Sequence, residues 1–561
     1  MKRHIIISVS LLFALCAMAQ KSFKAPKPVQ KASQCMATVL AYRNSVLHAN
    51  GTAFFTGENG NLVSSASLFA GVDSAVIIDA AGIVRPVKSI VGYNEMFDCV
   101  KVRVEWDKKI KSLPLSNGAV SAGDELYMLS YGGKKGGAVT PLAIASVDSV
   151  YSNAYYTFDV PMEKGSIGLP LLDANGAVVA FMQPAAAMDT VKSYAVGSTL
   201  FASLDATVAT FGKGIYPGMA IRTALPLEKE NALPCLYMQG MMGDSVSYGT
   251  VVNEFISSFP EAYEGYMAKG EYSAVYLRDM SVAEEAWKAA IERTDSVSEV
   301  HFSRAKTIFS IVQSGDSVSH PLLSYANAFD AVEAAIDNSP QPIYVNYKAD
   351  MLFACQRFAE AAKCYESLTS TNLRSPGIFA KASQCYSSVE DYGNAIALLD
   401  SAVNCYGDIG KNSSAPYILT RALVKMSAKR YREAVLDYNS YEEIVGGGLN
   451  ASFYYMREQA EVKGRMFQQA LNDIETAIYL DPENPSYYIE KGVLCYRVKM
   501  TDEGLRAMVK AKELVPEAPD VYYLLGCLHS QKNSKADARA NLEKALSLGH
   551  PGAQAKLDEL K

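Results

Sequence analysis

Long apolar runs are scarce in this 561-residue chain. Beyond the N-terminus none is long enough to span a bilayer, so no transmembrane helix is expected in the mature protein. Charge of one sign is not in excess either: 53 Lys and Arg stand against 59 Asp and Glu, a net −6. There is no dense basic stripe and no zinc-finger spacing, which argues against a nucleic-acid partner. The ten cysteines form no CxxC and no Cys/His cluster with zinc-ligand spacing, so neither a metal nor a cofactor is expected. Cys35, Cys99, Cys235, Cys355, Cys364, Cys385, Cys405, Cys495 and Cys527 are scattered through apolar patterns. They read as free buried thiols rather than a disulfide framework. Between residues 36 and 205 the only histidine is His48.

What is present begins with an export signal. Lys2, Arg3 and His4 precede a short apolar run, Ile5 to Cys16, and Ala17-Met18-Ala19 fits a small-x-small cleavage site. Residues 1–19 are therefore expected to be a signal peptide, with 20–34 a polar leader. Leu15 stands before Cys16 where a lipid-modified cysteine has a small residue, so cleavage after Ala19 is expected instead. The expected location is periplasmic or secreted, with association to the cell envelope as a variant of it.

The length exceeds one core, and the hydrophobic period changes along the chain. Residues 35–210 show short apolar runs separated by Gly, Asn and Asp, among them Met36–Tyr42, Ala75–Ile78, Val100–Val104, Glu125–Leu129 and Tyr155–Val160. These read as strands of a sandwich or barrel. Residues 211–248 fit neither pattern and are expected to be a connector. From 249 to 561 helical periodicity takes over.

Three stretches of the first region carry chemistry-related patterns. Gly51-Thr52-Ala53-Phe54-Phe55 leads to Leu62-Val63-Ser64-Ser65-Ala66-Ser67-Leu68-Phe69-Ala70-Gly71. Phe97-Asp98-Cys99-Val100-Lys101-Val102 follows, and then Gly165-Ser166-Ile167-Gly168-Leu169-Pro170-Leu171-Leu172. In this order and spacing they resemble the trypsin-like serine peptidases. The resemblance implies an all-β double barrel, and it is extended by Ser121-Ala122-Gly123-Asp124-Glu125-Leu126-Tyr127 at a strand entry. It also implies that the base position falls on Ser67, the acid on Asp98 and the nucleophile on Ile167. A triad needs a base within reach of a hydroxyl. Here only the acid is retained. His48 lies well before the base position, and a Lys164/Ser166 dyad would need a buried lysine that nothing local promises. The turn at 165–168 can still present backbone N–H groups to an anion or a peptide end.

The second region repeats with a 34-residue step: Tyr454, Tyr488, Tyr522; Glu458, Gly492, Gly526; Ala470, Gly504, Ala538; Ala477, Ala511, Ala545; and Pro482, Pro516. Small residues let paired helices approach, and proline ends the second helix of a pair. Looser copies surround Ala434, Ala395, Ala361 and Ala283–Ala290, which gives about seven units, with Gly446-Gly447-Gly448 as an insert and Ala553–Leu560 as a cap. The pattern resembles tetratricopeptide (TPR) repeats, an all-α solenoid. That resemblance implies a concave face lined by Tyr455, Gln459, Lys463, Ile489, Val493, Arg497, Tyr523 and Gln531, facing a protein or peptide partner. Tyr455, Ile489 and Tyr523 stand where chaperone-binding repeats carry a clamp lysine.

The expected protein is thus an exported scaffold without catalytic activity, joining a degenerate peptidase barrel to a binding solenoid. The alternative is an active trypsin-like endopeptidase that uses its repeats to recognise substrate.

Overall fold

The protein is described by a computed structural model, covering residues 23–57, 60–105, 110–131, 137–161, 165–184, 191–212, 219–242, 244–315, 320–407 and 411–560. The expected signal segment, Cys16 and Lys164 lie outside these residues. The chain forms two compact units, residues 1–295 and 296–561.

The first unit opens with a short helix, α1 (Lys27–Ala32), and then a closed six-stranded barrel. Its strands are β1 (Met36–Arg43), β2 (Val46–Thr56), β3 (Asn61–Ser65), β4 (Ser74–Asp79), β5 (Val84–Asn94) and β6 (Cys99–Val104), paired in the order β1-β2-β3-β6-β5-β4 with β4 returning to β1. A seven-stranded sheet follows, of order β8-β7-β11-β12-β13-β10-β9. It comprises β7 (Glu125–Leu129), β8 (Val139–Ala143), β9 (Ser146–Val150), β10 (Asn153–Phe158), β11 (Pro170–Leu172), β12 (Val178–Gln183) and β13 (Ser193–Gly197). So closure by strand pairing holds for the first lobe, whereas the second is an open sheet with edges at β8 and β9. Pro141 sits in edge strand β8 and Pro170 opens β11, the places a residue without an N–H is tolerated in a sheet.

Alternation along each strand builds the cores. Phe55 and Leu62 point into the barrel with Val39, Ile77, Ile90 and Val102. Their neighbours Phe54 and Val63 point the other way, into a core shared with Leu129, Leu172, Phe181 and Phe201. Ala180 and Met182, flanking Phe181, fill the second lobe with Leu126, Phe158 and Leu171. After α2 (Thr199–Ala202) the unit ends in α3 (Lys229–Met241), α4 (Ser245–Ser258), α5 (Tyr263–Tyr272) and α6 (Met280–Ile291). Asp244 and Asp279 cap α4 and α6 by accepting from the first free N–H groups. The stretch 211–248, read from sequence as a connector, thus carries α3 and the start of α4. Phe211, Cys235, Leu236, Tyr248 and Phe255 share one core there. Pro234 inside α3 breaks the helical pattern that sequence reading looks for.

The second unit is a run of helix pairs: α7 (Val297–Gln313) with α8 (Tyr325–Asn338), α9 (Pro342–Ala354) with α10 (Phe358–Leu368), α11 (Pro376–Ser388) with α12 (Tyr392–Asn404), and α13 (Lys411–Ser427) with α14 (Tyr431–Val445). Three more follow: α15 (Ala451–Lys463) with α16 (Phe467–Leu480), α17 (Pro485–Val498) with α18 (Thr501–Leu514), and α19 (Pro519–Gln531) with α20 (Lys535–Ser547), before a terminal α21 (Ala553–Asp558). Proline opens α9, α11, α17 and α19, where its missing N–H costs nothing. The turn inside each later pair uses one left-handed residue: Gln356, Glu390, Lys429, Arg465, Lys499 and Asn533. Ala470, Ala477, Ala511, Ala538 and Ala545 are fully buried between helices. A Cβ on Gly526 would stand 2.6 Å from Leu542, and one on Gly492 would collide with Met508.

Candidate functional site

The peptidase-type centre is assembled by β3, β6 and the loop before β11. Antiparallel pairing sets Ser65 opposite Cys99, so the residues that follow β3 meet the residue that precedes β6. Ala66 N–H donates to the Asp98 carbonyl at 3.1 Å, pinning the crossing. Asp98 adopts a left-handed backbone, φ +41°, which Asp tolerates better than most side chains. Its carboxylate is then filled by serines. Ser67 N–H donates to Oδ1 at 2.6 Å and Ser67 Oγ to Oδ2 at 3.1 Å. Ser65 Oγ donates to Oδ2 as well, and the two serine hydroxyls lie 2.9 Å apart. Ser65 is buried, while Ser67 reaches the surface.

The 165–168 loop closes over this cluster. Gly165 and Gly168 hold φ +96° and +83°, conformations that favour glycine. A Cβ on Gly168 would sit 3.7 Å from Ser65 Cβ. The Gly168 N–H is used, donating to the Met182 carbonyl at 3.0 Å. Ile167 holds the nucleophile position with its side chain 41% exposed, while Ser166 is buried at 4%. The three positions expected from sequence are therefore two that touch, Ser67 and Asp98, and a third whose neighbour Gly168 packs on Ser65. His48 is exposed on β2. A cavity of about 340 Å³ lined by Gln34, Phe55, Asp79, Arg85, Ile110 and Lys111 includes none of these groups. Among the described residues no cluster of His, Cys, Asp and Glu is arranged to hold a metal, and no helix is long and apolar enough to cross a membrane.

The expected solenoid face divides in two. Tyr455 and Gln459 are half-buried on α15, and Lys463 and Arg497 are exposed. The Tyr455 ring packs 5.3 Å from that of Tyr487, and the Lys463 ammonium lies 5.9 Å over Tyr431. Ile489, Val493 and Tyr523 instead pack against a core of Met508, Leu524 and Leu525. Tyr523 also stacks on His550 at 3.9 Å. Gln531 is tied to the Tyr496 carbonyl at 3.1 Å and to Thr501 at 2.7 Å.

Sequence reading passed over a charged cluster beneath that face. Arg457 on α15 grips Asp473 on α16 through Nε to Oδ2 at 2.6 Å and Nη2 to Oδ1 at 2.8 Å, and its Nη1 reaches Asn439 and Glu442 on α14 at 2.9 and 2.5 Å. Gln459 Nε2 donates to Glu458 Oε2 at 2.7 Å. Glu458 is fully buried, and burial with the nearby Glu490 pushes its carboxyl up to about 7. Burial also holds Glu490 above its ordinary value, against the pull of Arg497 and Gln459. The signal was in the repeat itself: Glu458 fills a column that holds glycine at 492 and 526.

With that geometry in view, residues 51–181 match the family model described as "Trypsin-like peptidase domain". This part of the chain is a trypsin-like peptidase domain, followed by helix pairs of TPR-like form. Among solved structures, a serine endoprotease from Yersinia pestis is similar at 14% identity and TM-score 0.28, over 31% of this chain and 62% of that one. The chain therefore spans less than two thirds of that protein's length. An inactive serine-to-alanine mutant of Rv3671c from M. tuberculosis H37Rv is similar at 19% identity and TM-score 0.27, over 32% of this chain and 88% of that one. No curated protein sequence matches the chain.

Proposed function

We propose that this chain is an exported, non-catalytic binding protein, in which a pseudo-peptidase domain accompanies a helical-repeat groove that captures a protein or peptide. The observation that carries the reading is the Asp98 carboxylate, whose hydrogen bonds go to Ser65 and Ser67. In a triad this carboxylate orients an imidazole, which takes the proton of the nucleophile. A serine hydroxyl has no basic nitrogen to do so, and the nucleophile position carries an isoleucine. Export rests on the basic, apolar and small-residue stretches from Lys2 to Ala19. Lys463 and Arg497 are the exposed members of the binding row, with Tyr455 and Gln459 half-buried beside them on α15. Fluorophosphonate labelling of the purified full chain tests the first half of the reading. Stoichiometric label on any serine between residues 36 and 205 overturns it.

A further inference from the structure

Two successive repeats place different charges in the same buried slot. In the pair α13/α14, Arg421 binds Asp437 with Nε to Oδ2 at 3.0 Å and Nη2 to Oδ1 at 2.7 Å. One turn after the arginine, Lys425 adds its ammonium to the same carboxylate at 2.8 Å. In the pair α15/α16 the two-pronged contact recurs between Arg457 and Asp473, again sixteen residues apart. The residue one turn after this arginine is Glu461. Lys425 is 8% exposed and Glu461 3%. Where one repeat sets Arg421 and Lys425 against Asp437 and Asp400, the next sets Arg457 alone against Asp473, Glu442 and Glu461.

The remaining neighbours do not supply the missing positive charge. From α16, Asp473 faces Glu461; on α15 itself, Arg457 and Glu458 do so. Arg457 also serves Glu442 of α14, and Glu458 faces Glu490 and Arg497 of α17. If Glu461 and Asp473 are both ionised, neither can donate, and Glu461 Oε2 stays buried with no hydrogen-bond partner. A charged group left in that state is costly, and two like charges in one low-dielectric site disfavour ionisation of one of them.

We propose that α15/α16 holds a proton-binding site in which Glu461 is a carboxylic acid donating its O–H to the Asp473 carboxylate, the proton replacing the positive charge that Lys425 brings to the repeat before. Loss of that proton leaves Arg457 facing three carboxylates, Asp473, Glu442 and Glu461, and loosens the joint between the two helices. The same α15 carries Tyr455, Gln459 and Lys463, so the rigidity of that stretch of surface is set by proton occupancy. The site is independent of whether the β-rich domain is catalytic. In support, burial and then Asp473 push the Glu461 carboxyl up to about 8 from its ordinary range. The folded state holds its proton more tightly than the unfolded chain does. The stabilisation is therefore present in acid and is lost as pH rises through about 8.

The test is amide hydrogen exchange on the full-length protein, measured between about pH 7.5 and about pH 9, a window that opens above the Glu458 value of about 7 and crosses the Glu461 value of about 8. Residues 411–445, whose slot holds Lys425, serve as the internal reference for residues 451–480. The expected result is that protection of 451–480 falls about threefold to fourfold further than that of 411–445 over this window, the fraction of the linkage that remains above pH 7.5 for a carboxyl near 8. Glu461→Gln and Glu461→Lys should each abolish the difference, the lysine by recreating the arrangement around Asp437. Parallel loss of protection in both repeats of the unaltered protein overturns the proposal, as does an undiminished difference in Glu461→Gln. Should Glu461→Lys fail to fold, infrared spectroscopy of the unaltered protein and Glu461→Gln at about pH 7.5 decides, because the near-isosteric glutamine removes one protonated-carboxyl C=O band. An unchanged band rejects the protonated glutamate.

Discussion

Ser67 gives Asp98 both of its donors, the backbone N–H at 2.6 Å and the hydroxyl at 3.1 Å. The carboxylate that would orient a catalytic base is thereby part of the barrel's own hydrogen-bonding. Removing it takes the acceptor from both hydroxyls and leaves Ser65, which is buried, with Ser67 alone as a partner. Unsatisfied buried groups cost about 1–3 kcal/mol each. Asp98→Ala should therefore destabilise the β-rich domain by about 1–3 kcal/mol in denaturant unfolding followed by β-sheet circular dichroism. A peptidase that relies on Asp98 would instead keep its stability and lose several powers of ten in hydrolysis rate. The unaltered chain is expected to show no such hydrolysis to lose, and measurable turnover that Asp98→Ala abolishes would contradict the pseudo-peptidase reading.

Much of the first domain was legible because it rests on alternation and turn chemistry. The expected strands Met36–Tyr42, Val100–Val104 and Glu125–Leu129 appear as β1, β6 and β7 with ends shifted by no more than one residue. The β11–β12 turn rests on the same local chemistry, with Gly176 at φ +82° and Asp173 accepting from Asn175 and Ala177. The helix pairs were legible through Pro and Ala spacing. What escaped was non-local. That Ser65 joins Ser67 on Asp98 depends on the register of β3 against β6, and a pattern of single positions does not carry it. The Arg457–Asp473–Glu461 cluster escaped because the 34-residue step aligns it with Lys491, Ala507 and Cys495, whereas its counterpart lies 36 residues upstream, across the Gly446–Gly448 insert.

A second expectation concerns where the chain can be cut. The continuous helical stretch begins at Lys229, but the compact units divide after Asp295. Val251, Val252 and Phe255 of α4 share a core with Phe211, Leu225 and Leu236. A fragment starting near 250 would leave that apolar surface bare. Residues 296–561 expressed alone should be monomeric and strongly helical with a cooperative melt, while 250–561 should be more prone to aggregate in light scattering. Equal solubility and identical melting of the two fragments would count against a division at 295.

The two surfaces offered to a partner can be separated by substitution. Arg497 is exposed, and Tyr455 is half-buried against Tyr487. Arg and Tyr are frequent binding hot spots, where truncation costs about 2 kcal/mol or more. Tyr455→Ala with Arg497→Ala should weaken partner capture by more than about tenfold. For the loop, Ile167→Asp is a cleaner probe than any change at Gly168, whose φ of +83° would strain every other residue. Ile167 is 41% exposed, so this change should leave both fold and capture intact. Normal capture by the double variant with loss in Ile167→Asp would move the binding site to the peptidase domain. The measurement is surface plasmon resonance against the partner recovered by affinity from the envelope fraction.

Two arginines forty residues apart should behave oppositely. Arg497 is exposed on α17, so Arg497→Ala should change stability by no more than about 0.5 kcal/mol. Arg457 is buried and holds Asp473, Glu442 and Asn439 at once. Burial works against its charge, yet the two carboxylates together raise its pKa above the ordinary arginine value. Truncation leaves Asp473 buried beside Glu461 with no cation, and breaking a buried pair from one side costs about 3–5 kcal/mol. Arg457→Ala should therefore unfold α15 and α16 selectively, with residues 451–480 losing protection in hydrogen exchange before the pair α11/α12 does. The loss should be smaller in acid, where Glu461 is neutral, and grow as pH rises and Glu461 ionises. Arg457→Lys, which keeps the charge but not the two-pronged geometry, should fall between. A silent Arg457→Ala would mean that the cluster contributes nothing to holding the repeat together.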